Sequence, residues 1–285
     1  MRTFFLAAAL TMLAAPALAQ APAPATIVSA AQVQALSAKA AAAQGGRPLS
    51  KQTIIATDGY ALNLERRVGK ASAAVHPDDA EIMIVLDGGA TLTTGGTLIE
   101  GAMARIDGGV SQHVAKGDVI LAPEDTPHLL LPDSGALVLA IMTIPRAAAP
   151  AGRGAPKLVT HASEIPAMIE KARAALPGAA RFFSGETLLS LGSIRAGLEY
   201  RSPKGIASVH KNDGEFMYVI SGEGNIPTGG TVTNPKDTGA NIDGDEMIGA
   251  TDNKMKAGDF IFVPKNLPHK AVTDGTFVLM TLHVQ

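Results

Sequence analysis

The chain has 285 residues, 24 basic and 26 acidic side chains, a formal net charge of −2 and no cysteine. This near balance, without a basic stripe or aromatic ladder, argues against a nucleic-acid partner, and the lack of cysteine excludes disulfides. Thirty glycines and eighteen prolines in a chain that is 46% hydrophobic predict a β-rich fold with many turns and a sizeable core.

The N-terminus has the pattern of an export signal. Arg2 precedes an apolar run at 4–13 and the small-residue sequence Ala17-Leu18-Ala19, which predicts a signal peptide at 1–19 that is cut after Ala19. A buried N-terminal helix is the alternative. We expect a periplasmic or secreted protein, exported unfolded because a twin-arginine pair is absent. Later segments are too short or too polar to span a bilayer, so no membrane anchor is expected.

The remaining chain divides into two similar series of elements. In each series an Ala-rich or amphipathic helix comes first, at 29–44 with Ser29 as a cap and at 162–176 with Pro177 as a stop. Apolar and β-branched runs that end at glycine or proline follow, and they predict strands at 81–86, 118–123, 136–144, 215–220, 259–264 and 276–284. We therefore predict an all-β protein with a few helices, as a sandwich or barrel in each half. The predicted domains are 20–145 and 157–285, joined by a Pro-, Ala- and Gly-rich linker at 146–156.

The two halves repeat each other in sequence. Thr53 laid on Thr187 starts an ungapped alignment of more than forty residues at an offset of 134. The second half then gains seven residues between Val232 and Lys256, after which the offset is 141. We expect this gain to lengthen a loop near the mouth of one barrel. The polar residues that coincide are Glu65 with Glu199, Arg67 with Arg201, His76 with His210, Glu81 with Glu215, and His128 with His269.

Both halves resemble the cupin family. The first reads His76-x4-Glu81-x6-Gly88, then Gly117-x5-Pro123 and His128; the second reads His210-x4-Glu215-x6-Gly222, then Gly258-x5-Pro264 and His269. Two such motifs in register resemble a bicupin, which implies two tandem cupin-type barrels, each preceded by a short helix. The family's first histidine is replaced by Ala74 and Ser208, and the glycine of its second motif by Asp125 and Asn266.

The resemblance implies one divalent metal ion in one or both barrels. Because of the replacements at Ala74 and Ser208, three ligands remain in each half instead of the family's four: His76, Glu81 and His128, and His210, Glu215 and His269. Two histidines and a carboxylate are the ligands of non-haem Fe(II) oxygenases, and three ligands plus water suit catalytic zinc. Iron(II), zinc and manganese are all candidates, and a barrel that holds no metal is the alternative.

The function that the resemblance implies is a metal-dependent enzyme acting on a small oxygenated organic molecule. Dioxygenases, decarboxylases, isomerases and lyases all occur among cupins, so the fold alone does not choose. The alternative is a non-catalytic exported module that binds a small ligand or metal. Arg67 and Arg201 are candidates for binding a substrate carboxylate, although such residues are more often charges at a strand edge. His283, matched by Thr143, could face the second barrel's interior. The expected partner is a small molecule, with the chain as a monomer or homo-oligomer.

Overall fold

The computed structural model describes residues 22–57, 59–145, 155–178 and 182–285. The predicted signal peptide at 1–19 and residues 146–154 of the predicted linker lie outside the described residues. Within these described ranges, no helix is both long and apolar enough to cross a membrane.

The first half contains one helix followed by short strands. Its elements are β1 (Thr26–Val28), α1 (Ala30–Ala43), β2 (Leu49–Ala56), β3 (Ala61–Val68), β4 (Asp79–Asp87), β5 (Gly89–Thr94), β6 (Thr97–Ile99), β7 (Arg105–Asp107), β8 (Val110–Ala115), β9 (Val119–Ala122), β10 (His128–Pro132) and β11 (Ala136–Pro145). Ser29 caps α1, because its hydroxyl accepts from the Gln32 backbone N–H while the Gln32 side chain accepts from the Ser29 N–H.

The second half repeats this order. Its elements are β12 (Val159–Thr160), α2 (Ile165–Ala175) with a 3-10 turn (Leu176–Gly178), β13 (Phe183–Leu191), β14 (Ile194–Arg201), β15 (Ala207–His210), β16 (Gly214–Asn225), β17 (Thr231–Val232), β18 (Lys236–Asp237), β19 (Asn241–Gly244), β20 (Met247–Ile248), β21 (Lys254–Lys256), β22 (Phe260–Val263) and β23 (Phe277–Val284). Helix α2 begins three residues later than predicted. Glu164 accepts from the His161 N–H in the turn before it, and proline at the helix start suits the first turn.

Each half forms a large antiparallel sheet and a smaller one. The large sheets have the orders β12-β9-β4-β11-β3-β2 and β1-β22-β16-β23-β14-β13, and the smaller sheets are β10-β5-β8 and β15-β19-β18. We call the units of β2–β11 and β13–β23 the N-terminal barrel and the C-terminal barrel. The predicted all-β class with two helices and two tandem units is confirmed.

The central strands of the large sheets are buried on both faces. In β4, Ile82 and Ile84 join the cluster shared by both halves, whereas Met83 and Val85 belong to the interior of the N-terminal barrel. This follows from the alternation of side chains along a strand. The shared cluster includes residues of both large sheets, among them Phe216, so the two barrels pack through these sheets.

The halves also exchange edge strands. β1 precedes the N-terminal barrel in the chain but pairs with β22 of the C-terminal barrel, and β12 pairs in the same way with β9 of the N-terminal barrel. Asp259 and Asp118 hold these crossings, because they accept the backbone N–H groups of Ala30 and Ala162 at 2.7 Å in both cases. Each barrel therefore depends on the other for an outer strand of its large sheet.

Candidate metal centres

Strand alternation directs one glutamate into each barrel. Glu81 lies two residues before Met83 in β4, and Glu215 lies two residues before Met217 in β16. Both methionines belong to barrel interiors, and residues two apart in a strand share a face. Each carboxylate therefore points into its barrel.

Backbone contacts place two histidines beside each carboxylate. In the N-terminal barrel, Ala74 and His128 exchange two backbone hydrogen bonds of 2.9 and 3.0 Å, and His76 follows two residues later. Asp125, with φ of 53°, donates its N–H to the His76 carbonyl at 2.9 Å. It stands where the motif has glycine, and Asp tolerates this left-handed conformation.

The C-terminal barrel uses the same construction. Ser208 and His269 exchange backbone hydrogen bonds of 2.9 and 3.0 Å. Asn266, with φ of 65°, donates to the His210 carbonyl at 2.7 Å. The two sites are thus built from equivalent backbone positions in both halves.

The three predicted ligands of each half converge. In the N-terminal barrel, Glu81 Oε1 lies 3.5 Å from His76 Nε2, and Glu81 Oε2 lies 3.2 Å from His128 Nε2. In the C-terminal barrel, Glu215 Oε2 lies 3.3 Å from His210 Nε2 and 3.1 Å from His269 Nε2. Both triads form compact groups of potential metal ligands.

The Nδ1 atoms of His128 and His269 are held by backbone acceptors. His128 Nδ1 lies 3.1 Å from the Thr126 carbonyl, and His269 Nδ1 lies 3.2 Å from the Leu267 carbonyl. A carbonyl can only accept, so each Nδ1 carries the proton and Nε2 keeps its lone pair when the ring is neutral. This is the tautomer that a metal on Nε2 requires.

The glutamate of each triad has a lowered pKa. Burial opposes ionisation of Glu81, but the hydrogen bond from His128 and the nearby positive charges outweigh it and lower the pKa of Glu81. The same balance, with hydrogen bonds from His210 and His269, holds the pKa of Glu215 well below its usual range. Both glutamates are therefore anionic at neutral pH, as metal binding requires.

The donor set fits a divalent metal ion. A transition metal with ligand bonds of about 2.1 Å separates neighbouring ligand atoms by about 3.0–3.4 Å. The separations of 3.1–3.5 Å in the two triads are close to this range. The combination of two imidazoles and one carboxylate suits iron(II) and zinc.

Each triad opens into a cavity that also contains an arginine. The cavities measure about 350 Å³ in the N-terminal barrel and about 320 Å³ in the C-terminal barrel. Arg67 lines the first and donates to Glu65 through Nε and Nη2 at 3.1 and 2.7 Å. Arg201 lines the second and donates to Glu199. Both guanidinium groups thus belong to the walls of the candidate sites, and each is already paired with a glutamate of its own barrel.

Arg201 retains an unused donor. Its Nε is buried without a hydrogen-bond partner in the described part of the chain, and its guanidinium carbon lies 4.6 Å from the centre of the Phe183 ring. Burial raises the pKa of Glu199, although the charge of Arg201 opposes the rise. A buried donor without an acceptor is unusual in a folded protein.

The C-terminal site has polar neighbours that the motif does not include. His283 does face this interior: its Nδ1 lies 2.7 Å from Asp213, and its Nε2 lies 3.7 Å from Glu215. Asn241 accepts from His210 Nδ1 at 2.9 Å, and Lys270 lines the cavity. Sequence patterns did not point to Asn241, Asp213 or Lys270. Asn241 falls between Val232 and Lys256, where the second half is seven residues longer and the ungapped alignment of the two halves is interrupted.

No family model matches this chain, and no curated protein matches it by sequence. Its structure is similar to salicylate 1,2-dioxygenase from Pseudaminobacter salicylatoxidans, with a TM-score of 0.62 and 10% identity over 92% of this chain and 84% of that chain. A structure of that enzyme with gentisate adducts gives 0.62 and 10% over 94% and 83%. A cupin 2 conserved barrel domain protein from Leptotrichia buccalis gives 0.52 and 10% over 84% and 90%. At 10% sequence identity, these similarities are evidence for the fold alone.

Proposed function

We propose, on the premise that this chain has the two-domain cupin fold, that it is a metal-dependent enzyme of the dioxygenase type. Each barrel would hold one divalent ion, on His76, Glu81 and His128 and on His210, Glu215 and His269. The substrate would be a small oxygenated molecule that carries a carboxylate. Salicylate and gentisate, which the similar structures name, are compounds of this class.

The observation that carries this proposal is the convergence of two imidazole nitrogens and one carboxylate at the same place in both barrels. Two histidines and one carboxylate on one side of an iron(II) ion leave positions open, as in non-haem oxygenases. Bound iron would supply Lewis acidity toward substrate oxygens and the redox chemistry that dioxygen requires.

The protein's own residues would bind and orient the substrate. Arg67 and Arg201 line the cavities that contain the triads. A guanidinium group suits a carboxylate because its N–H groups match the two oxygens. We propose that the substrate carboxylate lies against this arginine, sharing it with Glu65 or Glu199, while its hydroxyl faces the triad.

The proposal predicts metal content and oxygen consumption. We expect the anaerobically purified full chain to bind iron(II) and to consume one dioxygen for each hydroxybenzoate converted, without an added reductant, because both oxygen atoms enter the product. His128→Ala and His269→Ala should each remove one ion, and the double variant should remove both ions and the activity. His113→Ala is the matched control, because His113 is exposed and pairs with Asp133 outside both sites.

Two results would count against the proposal in different ways. If neither barrel binds iron(II), zinc or manganese, the metal centres are wrong. If metal binds but no hydroxy acid is bound or converted, the barrels serve another purpose. If a hydroxy acid binds but no oxygen is consumed, the protein is a binding module. Metal analysis and an oxygen electrode separate these outcomes.

We also propose that the protein is exported and cut after Ala19. The N-terminal pattern supports this, and a chain that starts at Gln20 would keep β1, which begins at Thr26. The intact mass of protein from the periplasmic fraction should match residues 20–285. A mass that includes Met1 would contradict export by this signal.

A further inference from the structure

The two triads are alike, but their surroundings differ. The segment that is seven residues longer in the second half, residues 233–255, contains β19, which pairs with β15 so that Asn241 lies opposite His210 and Asp243 opposite Ser208. In the N-terminal barrel, the segment before Glu81 pairs with no such strand among the described residues. Ala74 bridges His128, and Ala73 donates its N–H to the Ala104 carbonyl at 2.9 Å. We call residues 233–255 the insertion.

Contacts on both sides of the cavity hold the insertion in place. The Ser208 hydroxyl donates to Asp243 at 2.6 Å. Lys270, which is buried, donates to Glu246 at 2.8 Å. Asn241 of the insertion thereby becomes part of the wall of the cavity.

The insertion and the last strand fix His210 from two directions. Its Nδ1–H donates to Asn241 Oδ1 at 2.9 Å. The ring of His283 packs edge-on against it, with the ring centres 4.6 Å apart and the planes at 90°. His283 is itself held by Asp213 at 2.7 Å, so both supports of His210 are anchored.

His76, the equivalent ligand of the N-terminal barrel, has neither support. Thr143 occupies the register position beside Glu81 that His283 occupies beside Glu215, and no hydrogen bond to His76 Nδ1 is found within the described ranges. The His76 side chain is 38% exposed, against 11% for His210. The other two ligands of each triad are well buried in both barrels.

We infer that the two centres are unequal, with the C-terminal centre releasing its metal ion more slowly, and that Asn241 is the residue that positions His210 for the metal. The inference rests on the proposed metal centres. Loss of a metal ion requires a ligand to turn away and water to enter, and both are hindered at His210. A residue that accepts the second N–H of a ligating histidine typically contributes roughly 10–100-fold to metal affinity.

Zinc release from the full chain tests this. Metal-depleted protein is loaded with two equivalents of zinc and mixed with an excess of a chromophoric chelator. We expect a fast and a slow phase in the wild type, the slow phase alone in His128→Ala and the fast phase alone in His269→Ala. Circular dichroism checks that each variant is folded.

Asn241 variants test the positioning role. Asn241→Ala should speed the slow phase and weaken zinc binding at that centre roughly 10–100-fold, while the fast phase stays unchanged. Asn241→Asp keeps an acceptor for His210 and should retain slow release. Asn234→Gly is the matched control, because Asn234 lies in the insertion, bonds Asp245 rather than the triad, and has a φ of 47° that suits glycine.

Three outcomes would overturn the inference. A single release phase with two zinc ions bound would refute unequal centres and leave the proposed function standing. Equal effects of Asn241→Ala and Asn234→Gly would show that a general loosening of the insertion, not the bond to His210, controls release. A wild type that binds no zinc, iron(II) or manganese would end this inference together with the proposed centres.

Discussion

Raising the pH from 6.5 to 9 should destabilise the metal-free protein through His210. Burial opposes protonation of this ring, but the hydrogen bond and charge of Glu215, with Asn241 and Asp213, raise its pKa from 6.5 to about 9. The protonated ring therefore stabilises the folded chain. A group with a raised pKa contributes fully below its unfolded pKa, and the contribution is lost as the pH rises through its folded pKa.

The size of the effect follows from the pKa difference. A rise from 6.5 to about 9 corresponds to roughly 3 kcal/mol, at about 1.4 kcal/mol for each pKa unit. Most of this is present at pH 6.5 and little remains at pH 9, so the free energy of unfolding should fall by roughly 2–3 kcal/mol between these values.

Urea unfolding of chelator-treated protein at pH 6.5, 7.5 and 9 measures this dependence. Replacing His210 by glutamine removes the titrating ring, so His210→Gln should lose less stability over the same range. His113→Gln, which changes an exposed histidine, should behave like the wild type. The reasoning is refuted if wild type and His210→Gln show the same dependence on pH.

The stabilisation that zinc provides should depend on pH in the opposite direction. A metal ion requires the neutral ring, so binding at the C-terminal centre must release the proton of His210 at pH 7. We expect the stabilisation by zinc to increase from pH 6.5 to 9, while the metal-free protein weakens. Calorimetry in buffers of different ionisation enthalpy would measure the released proton, and no proton release would contradict the raised pKa of His210.

Three further predictions concern the fold. Met83→Ala should lower the free energy of unfolding in urea by about 2–5 kcal/mol, because Met83 is fully buried in the N-terminal barrel. Met103 is exposed, so Met103→Ala should change the free energy of unfolding by less than about 0.5 kcal/mol. Deleting residues 22–28 should lower the midpoint of thermal unfolding, because β1 completes the C-terminal sheet; an unchanged midpoint would show that this strand is dispensable. Gly88→Ala should destabilise far more than Gly95→Ala in the same urea assay, because both have positive φ but a Cβ at Gly88 would lie 2.2 Å from a backbone carbonyl while Gly95 has open space. Equal losses in this last pair would mean that conformation, not contact, makes Gly88 necessary.

Much of the fold could be predicted from local patterns. The strands expected at 81–86 and 276–284 appear as Asp79–Asp87 and Phe277–Val284, and the helix expected at 29–44 appears as Ala30–Ala43. These elements could be predicted because alternation, caps and turn residues act over a few neighbouring positions. The same alternation directs Glu81 and Glu215 inward, so the motif spacing that suggested a ligand set also matches the geometry that brings it together.

The sequence alone determined the class of fold, the internal repeat and the two groups of His, Glu and His. Only the tertiary structure decided which chain segments complete each sheet, since β1 and β12 are too short for a periodic pattern and pair with strands far away in the sequence. It also decided that Arg67 pairs with Glu65 and Arg201 with Glu199, and that a residue outside the motif, Asn241, supports the ligand His210 of the C-terminal barrel. Such contacts depend on how distant strands pack in three dimensions, and local composition and spacing do not encode that packing.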